Sequence, residues 1–310
     1  MADDVLARVR ATGLLVAGTD VVVLLSGGRD SVCLLDVAVE LGCAARALHV
    51  NYGLRAEADD DEAHCRALCE RLGVALAVHR ASRPQDAPGN LQAWARDVRY
   101  AAASEIAAGE RVAVGHTASD QAETVLYRLA ASPGRRALLG MQPRSGHLVR
   151  PLLTVTREET GAWCRARGLA WRDDATNASD AFARGRVRHG LLAALEAVDP
   201  RAAANVVRTA DLLREEAEVL DVVVDTALAG RDRIALSHLA GLPPALARLI
   251  VRRLAEAATG ALCARAPARL DDILALGGDA ALDVGDGARA VVSGGVLHFE
   301  ATPPLRAPPA

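Results

Sequence analysis

The feature that most constrains the fold is a regular alternation, along the first two thirds of the chain, of short β-branched apolar runs with longer helical patterns. This alternation is typical of βαβ units, in which helices connect parallel strands. Strands are predicted at residues 21–25, 47–50, 75–78 and 112–115, and helices at 31–41, 59–72, 90–108 and 119–131. The pattern predicts an α/β fold, a parallel sheet with helices on both faces.

Three helix starts carry local signals. Asn90 and Ser119 precede helical patterns and are predicted to be N-caps. Thr156 and Glu159 have the spacing of a capping box, so another helix is predicted to begin there.

The sequence pattern changes after Pro200, where long helical patterns are followed by strand signals at residues 288–292 and 296–300. Glycine-containing turns are expected before and between these strands. We therefore predict a first domain over residues 1–195 and a mostly helical second domain over 196–310, which ends in a β-hairpin. The Pro-rich tail, residues 303–310, is expected to be disordered.

Composition excludes several classes of protein. No apolar run approaches the roughly 18 residues of a membrane span, and Asp3 and Asp4 stand where a signal peptide would be basic. The six cysteines form no paired framework, which favours a reducing, cytoplasmic location. The net charge of -3 argues against a uniformly basic nucleic-acid coat but allows a local basic face.

A glycine-containing loop follows the first predicted strand and leads directly into a helix. Its residues are Ser26, Gly27, Gly28, Arg29, Asp30 and Ser31. Glycines allow close backbone approach to a phosphate, and N–H groups at a helix start hold anionic oxygens. Asp30 could hold Mg²⁺ against the phosphates. The alternative is an ordinary glycine turn between strand and helix.

This loop resembles the pyrophosphate-binding loop of the N-type ATP pyrophosphatases. A Walker loop is excluded, because the chain contains no Lys. Two further motifs, His-Val-Asn-Tyr-Gly-Leu-Arg at 49–55 and Gly-His-Thr-Ala-Ser-Asp-Gln-Ala-Glu-Thr at 115–124, resemble those of the tRNA(Ile)-lysidine synthase family. Supporting matches lie at 94–100, 150–153, 172–177 and 182–189, so the resemblance covers about residues 20–195.

The resemblance implies an adenine-nucleotide α-hydrolase-like fold. It also implies an enzyme that uses ATP to adenylate the wobble cytidine of an isoleucine tRNA with a CAU anticodon, and then attaches free L-lysine. ATP would contact the loop together with His49 and Asn51. Asp30, His116, Asp120 and Glu123 are the candidate catalytic residues, with Asp30 as the metal ligand. The roles of His116, Asp120 and Glu123 are not separated by the sequence.

Two departures from the family pattern stand out. Ser119 precedes Asp120 where the family usually has two aspartates, and Gly185 follows Arg184 where it usually has asparagine. As an N-cap, Ser119 could replace an aspartate whose role is structural. These departures motivate one rival hypothesis, a nucleotide- and RNA-binding module that has lost catalysis.

The other rival is a different adenylating enzyme of this fold, such as a tRNA thiolase. Cys65 and Cys69 lie one helical turn apart, with no second pair to complete a tetrahedral metal site. Core packing is the favoured interpretation of both thiols.

Local charge supports an RNA substrate. Residues 128–157 contain six Arg and no acidic residue, and residues 182–208 contain five Arg against two acids. Arg binds phosphate bidentately and stays protonated. The alternative is a pair of solvated loops. The predicted tRNA-binding residues are Arg55, Arg96, Arg99, Arg135, Arg136, Arg184 and Arg188. Whether the chain forms a homodimer is left open.

Overall fold

The computed structural model describes residues 2–54, 56–83, 90–132, 134–172 and 183–303, with the side chains of residues 2, 3 and 184 outside that description. Contacts divide the chain into two compact units, Met1–Leu213 and Arg214–Ala310. Arg55, the 173–177 motif, Phe182, the Arg184 side chain and the tail from residue 304 lie outside the described residues.

The first unit alternates helices and strands in the predicted order. Its helices are α1 (Ala2–Ala11), α2 (Arg29–Glu40), α3 (Ala58–Leu72), α4 (Leu91–Ala107), α5 (Ala118–Ala131), α6 (Arg135–Leu138), α7 (Arg157–Ala166), α8 (Ala183–Arg186) and α9 (Ala193–Val198), with a π-helical stretch, Val187–Leu192. Its strands are β1 (Asp20–Leu24), β2 (Ala44–Asn51), β3 (Ala75–Arg80), β4 (Arg111–Ala113), β5 (Arg144–Ser145) and β6 (Leu148–Val149).

These strands form one sheet in the order β3-β2-β1-β4-β6-β5. All neighbouring pairs are parallel except β5 and β6, which form an antiparallel pair at the edge. The predicted parallel α/β fold is confirmed. β1 pairs with β2 on one side and β4 on the other, and a crevice at the carboxyl ends of strands is where open α/β sheets bind ligands.

Strand β1 shows why helices cover both faces. Val21 and Val23 pack into one apolar cluster with α2 and α7, whereas Val22 and Leu24 pack into a second cluster with α4. Successive side chains of a strand point to opposite faces, so an all-apolar strand is stable only when both faces are covered. Each fully buried valine contributes roughly 1.5–3 kcal/mol relative to exposure.

Helix caps test the local predictions. Asn90 caps α4 by accepting from the Gln92 N–H at 2.8 Å, and Thr156 with Glu159 forms the predicted capping box of α7. The predicted N-cap at Ser119 is wrong, because Thr117 caps α5 and Asp120 completes a capping box with it. Thr117 has extended backbone angles, and Asp120 then falls at the third helical position.

The second unit contains the end of α10 (Ala202–Leu228), helices packed around Leu239 and Ile250, and a four-stranded antiparallel sheet. Its further elements are β7 (Arg233–Ala235), α11 (Leu236–Gly241), α12 (Pro244–Thr259), a 3₁₀ turn (Ala266–Arg269), α13 (Leu270–Leu274), β8 (Ala280–Gly285), β9 (Ala288–Ser293) and β10 (Val296–Ala301). The predicted terminal hairpin is β9–β10.

Candidate functional site

Hydrogen bonds of its own two serines fix the conformation of the loop after β1. Ser31 Oγ donates to the Gly28 carbonyl at 2.8 Å and accepts from the Ser26 N–H at 3.2 Å. Gly27 has a φ of 83°, a left-handed conformation that glycine adopts without strain. The loop ends at the N-terminus of α2, whose first N–H groups and dipole favour an anion.

Gly115 lies just after β4, the strand that pairs with β1, and it packs against this loop. A Cβ atom there would be 3.0 Å from the backbone carbon and oxygen of Asp30 and 3.1 Å from the Ser31 nitrogen. Only glycine allows such close contact between the two backbones. The 115–124 motif therefore directly borders the 26–31 loop.

Three carboxylates predicted to be catalytic lie around one guanidinium. Arg157, the first residue of α7, contacts Asp120 Oδ1 at 3.0 Å, Glu123 Oε1 at 3.6 Å and Asp30 Oδ2 at 3.7 Å. Its backbone N–H donates to Ser119 Oγ at 3.2 Å. The N-termini of α2, α5 and α7 thus meet at one acidic cluster.

Arg188 joins the same cluster from the π-helical stretch. Its Nε and a terminal nitrogen donate to the two Glu123 oxygens at 2.5 and 3.1 Å, and Glu123 is 2% exposed. Burial opposes the charged form of Arg188, but the hydrogen bond to Glu123 and the negative charges of Glu123, Asp120 and Asp30 together outweigh burial and raise the pKa of the guanidinium. A residue predicted to bind tRNA is therefore placed beside candidate catalytic residues.

Asp30 and Asp120 are each fixed by further donors. Thr160 Oγ1 donates to Asp30 Oδ1 at 2.5 Å, and Arg29 Nε lies 3.4 Å from the same oxygen. Asp120 Oδ2 accepts from the N–H and the hydroxyl of Thr117, both at 2.9 Å. These bonds orient the carboxylates before any ligand arrives.

His49 and Asn51 are both buried, at 4% and 6% exposure. His49 Nδ1 lies 2.9 Å from the Leu25 carbonyl, which can only accept, so Nδ1 carries the ring proton. Asn51 donates to Glu62 and accepts from the Gly53 N–H at 2.9 Å. The Asn51 side chain thus bridges α3 and the loop that follows β2, and its contact with ATP stays a prediction.

Glu62, a buried residue of α3, links the ends of β2 and β3, because it accepts hydrogen bonds from Asn51 and from Arg80. The bonds from Arg80 and Arg66 hold the pKa of Glu62 down at about 2, against the opposing effect of burial, and Asn51 adds to the lowering. The carboxylate is therefore a permanent anion of the structure.

The remaining predicted histidine, His116, pairs with a buried arginine. Arg150 Nε donates to His116 Nδ1 at 3.3 Å, and an Arg150 terminal nitrogen donates to the Gln142 carbonyl at 2.6 Å. Arg150 follows β6 and is 8% exposed. His116 follows β4, so both lie at the carboxyl edge of the sheet.

Helix α7 is fastened along α2. Trp163 Nε1 donates to the buried Asp36 at 2.8 Å, and Arg167 pairs with the same carboxylate at 2.5 Å and with Glu40. Cys164 Sγ lies 3.7 Å from the Arg29 carbonyl. Contacts from the first to the last turn hold Arg157 and Thr160 at the start of α2.

The other predicted tRNA-binding arginines lie apart from the acidic cluster. Arg96 and Arg99 are exposed on α4, where Arg96 covers the Tyr100 ring at 4.9 Å and Arg99 donates to the Tyr52 hydroxyl at 3.0 Å. Arg136 is exposed on α6, whereas Arg135 donates to the Leu213 carbonyl at 3.3 Å.

Cys65 and Cys69 lie in the core, at 0% and 2% exposure, as predicted. Burial raises the pKa of the two thiols to about 12 and about 11, respectively. Thiols with such pKa values supply little thiolate for nucleophilic attack or metal binding.

Three residues of the site escaped sequence reasoning in their present roles: Arg150, Arg157 and Thr160. The sequence shows Arg157 only as a member of a basic run, and it shows Arg150 as a member of that run and as the first residue of the 150–153 match. The signal that could have singled out Arg157 is its place directly after Thr156, since a residue at the start of a helix on this sheet edge faces the crevice.

Among the described residues, no group of three or more His, Cys, Asp or Glu side chains is arranged to hold a metal ion. In the same part of the chain, no helix combines the length and apolarity needed to cross a membrane.

Comparison with known proteins gives consistent matches. A family model described as a PP-loop domain matches residues 6–195. The tRNA(Ile)-lysidine synthase of Gloeobacter violaceus is 38% identical over 259 residues, covering 78% of this chain and 78% of that protein. That of Solibacter usitatus is 39% identical over 263 residues, covering 80% of this chain and 59% of that protein. The chain thus spans between 59% and 78% of the length of these two curated relatives.

Among solved structures, the U34-tRNA thiolase NcsA from Methanococcus maripaludis with its 4Fe-4S cluster superposes with a TM-score of 0.58. The match covers 68% of this chain and 78% of that chain, at 18% sequence identity. At this identity the likeness shows a shared fold only.

Proposed function

The chain belongs to the tRNA(Ile)-lysidine synthase family of PP-loop proteins, and from this membership we propose that it attaches L-lysine to the wobble cytidine of an isoleucine tRNA with a CAU anticodon. ATP first adenylates the carbonyl oxygen of that base and releases pyrophosphate. The lysine amine then attacks the activated carbon and expels AMP.

The observation that carries the proposal is the cluster of Asp30, Asp120 and Glu123 around Arg157, at the N-terminus of the helix that follows the loop. The loop offers backbone donors to phosphates, and the cluster offers carboxylates to a cation. A polyphosphate and an amine are thereby bound next to each other, which an adenylation followed by amine attack requires.

ATP is proposed to bind with its phosphates at residues 26–31. Asp30 fits a role as the single protein ligand of Mg²⁺, because Mg²⁺ is usually held by one or two carboxylates together with substrate phosphates. Its Oδ2 has Arg157 at 3.7 Å, beyond hydrogen-bonding distance. Mg²⁺ would supply charge neutralisation on the phosphates, and the loop N–H groups would orient them.

Asp120 and Glu123 are proposed to hold the ammonium group of lysine. Glu123 already pairs with Arg188 and Asp120 with Arg157, so an arriving ammonium group would share these carboxylates with the two guanidinium groups. His116 is proposed to contact the α-phosphate. Arg96, Arg99, Arg135 and Arg136 remain the proposed contacts to tRNA phosphates.

Ser119 bears on whether the site is active. Its hydroxyl accepts the first N–H of α7 and so helps to place Arg157. A hydroxyl can serve as this acceptor as well as a carboxylate can. The departure from the family pattern is therefore compatible with an active enzyme.

The test is incubation of the full chain with labelled lysine, ATP, Mg²⁺ and total tRNA. We expect label in the RNA only when ATP is present, with AMP and pyrophosphate released in equal amounts. ATP–pyrophosphate exchange that requires tRNA, without transfer of lysine, would point to another adenylating enzyme. The absence of both exchange and transfer would point to a binding module that has lost catalysis.

A further inference from the structure

We propose that the Arg150 guanidinium, together with His116 and Arg96, forms a second phosphate-binding site at the carboxyl ends of β4 and β6. This site is separate from the 26–31 loop. It deepens the proposed function by assigning a substrate phosphate to residues outside that loop, and it rests on the proposed function only for the source of that phosphate.

The first argument is the burial of a cation without an anionic partner. Arg150 is 8% exposed, and its hydrogen bonds go to the Gln142 carbonyl and the His116 ring, both of them uncharged acceptors. Among the described residues, no carboxylate pairs with it. Burial of a charge without a counter-ion is strongly unfavourable, so buried charges in proteins are usually paired.

Other arginines of the same unit provide the comparison. Arg157, Arg167 and Arg188 are 22%, 34% and 23% exposed at the side chain, and each pairs with a carboxylate at 3.0 Å or less. Arg150, buried at 8% exposure of the whole residue, is the one of these four arginines that has no such partner among the described residues. Its missing counter-ion is therefore expected to come from a ligand.

The second argument is the positive charge around the Arg150 guanidinium. Burial lowers the pKa of the Arg150 guanidinium, and the nearby cations Arg96 and Arg128 lower it further, while Tyr100 opposes the shift. Several cations held close together repel one another unless an anion lies between or beside them. The local field therefore favours an anion and disfavours a lysine or a metal ion.

The third argument is the orientation of His116. A guanidinium can only donate, so His116 Nδ1 must accept, and the neutral ring carries its proton on Nε2. The site thus presents an imidazole N–H donor in addition to guanidinium donors. Gly115, the residue before it, touches the backbone of Asp30, so this donor lies at the same edge as the loop.

Phosphate is the anion that this donor set fits. Planar guanidinium groups bind phosphate oxygens through paired hydrogen bonds, and Arg is preferred over Lys for that geometry. The phosphate could belong to the bound nucleotide or to the RNA backbone. The chemistry of recognition is the same, and direct binding measurements separate the two sources.

The experiment measures two dissociation constants for the full chain and for Arg150→Gln. One titration uses the non-cleavable nucleotide α,β-methylene-ATP with Mg²⁺, followed by calorimetry, and the other uses an isoleucine tRNA transcript without nucleotide. We expect Arg150→Gln to weaken one of the two by about tenfold or more, because a hydrogen bond to a charged group is lost. The ligand that is affected identifies the source of the phosphate.

Arg144→Gln is the matched control, since Arg144 is exposed on the adjacent strand β5 and, within the described part of the chain, donates only to the Gly146 carbonyl. It should leave both constants within twofold of the wild type. Circular dichroism verifies that each variant is folded. If Arg150→Gln does not fold, the exposed Arg96→Gln variant carries the test, with an expected weakening of about threefold.

Unchanged binding of both ligands in a folded Arg150→Gln variant, or in Arg96→Gln should Arg150→Gln not fold, would overturn the proposal. Neither titration requires lysine transfer. The titrations can therefore support the second phosphate site even if no lysine is incorporated. They can also refute it even if lysine is incorporated.

Discussion

Replacement of Gly115 by alanine tests the contact between the two motifs most directly. The added Cβ would lie 3.0 Å from the carbonyl carbon and oxygen of Asp30, both backbone atoms that cannot rotate away. Ordinary contacts of a Cβ atom begin near 3.4 Å. The loop and the strand must therefore separate by about 0.4 Å, a displacement large enough to disturb phosphate binding.

The size of the effect follows from that displacement. A misplacement of about 1 Å in a reacting group can lower a reaction rate about 100-fold. The same proportion, applied to the binding of the phosphates, makes a shift of about 0.4 Å cost roughly five- to tenfold. We expect this loss in the affinity for α,β-methylene-ATP. The protein should also lose about 1–3 kcal/mol of unfolding free energy, as is usual for overpacking.

Calorimetry of nucleotide binding is the assay, and Gly241→Ala is the matched control. Gly241 ends α11, and an added Cβ there would meet nothing within 4 Å. The control should bind nucleotide as the wild type does. Wild-type affinity and stability in Gly115→Ala would refute the reasoning, since it would show that the two backbones are not in tight contact.

Four other predictions follow from residues of the first unit. Asp30→Ala and Ser31→Ala should leave the fold intact and abolish ATP consumption; wild-type turnover of both at saturating ATP would remove the loop from the proposed site. Arg135→Gln combined with Arg136→Gln should reduce the salt dependence of tRNA binding, by about 0.7–0.9 in slope for each lost phosphate contact, and unchanged binding across a salt series would assign both residues to a solvated surface. Thr117→Ala should cost about 0.5–2 kcal/mol of stability in denaturant unfolding as the loss of an N-cap, whereas Ser119→Asp should change lysine incorporation little; rescue of an inactive chain by Ser119→Asp would contradict this. Glu62 has its folded-state pKa lowered from 4.5 to about 2, so its stabilising effect is present above 4.5 and is lost as the pH falls through about 2. The difference in unfolding free energy between the wild type and Glu62→Gln should shrink over that range, and a constant difference would argue against the ion pairs with Arg80 and Arg66.

The sequence was sufficient to predict the four central strands, because each is a short apolar run between helical patterns. The capping box at Thr156 was also predictable, since its signal lies within four residues. The two-residue strands β5 and β6 were not predicted, because a pairing of that length leaves no periodicity to detect. Helix α1 is likewise not predicted by the sequence, because it is a short segment of ten residues without a capping signal before it.

The site was predictable at the level of motifs but not of partners. Position at a strand end placed Asp30, His116 and Asp120 on one edge, and the structure brings Asp30 and Asp120 to the same guanidinium. Thr117-x-x-Asp120 has the spacing of a capping box, with Asp in place of the usual Glu or Gln, but Ser119 is also a favoured cap residue and so competes with Thr117 in the sequence. Pairing of Glu123 with Arg188, 65 residues apart, depends on tertiary packing that no local pattern encodes.

The fastening of α7 along α2 has a consequence for how this protein can vary in evolution. Thr160 contacts Asp30 at the start of α2, and Trp163 and Arg167 both contact Asp36 further along it, so the spacing of these three residues must match the spacing of their partners. One residue inserted between Thr160 and Trp163 would rotate everything beyond it by about 100° and take both later contacts away from Asp36. Loops elsewhere can lengthen freely, but the stretch from Arg157 to Arg167 should tolerate substitutions far better than any change in length.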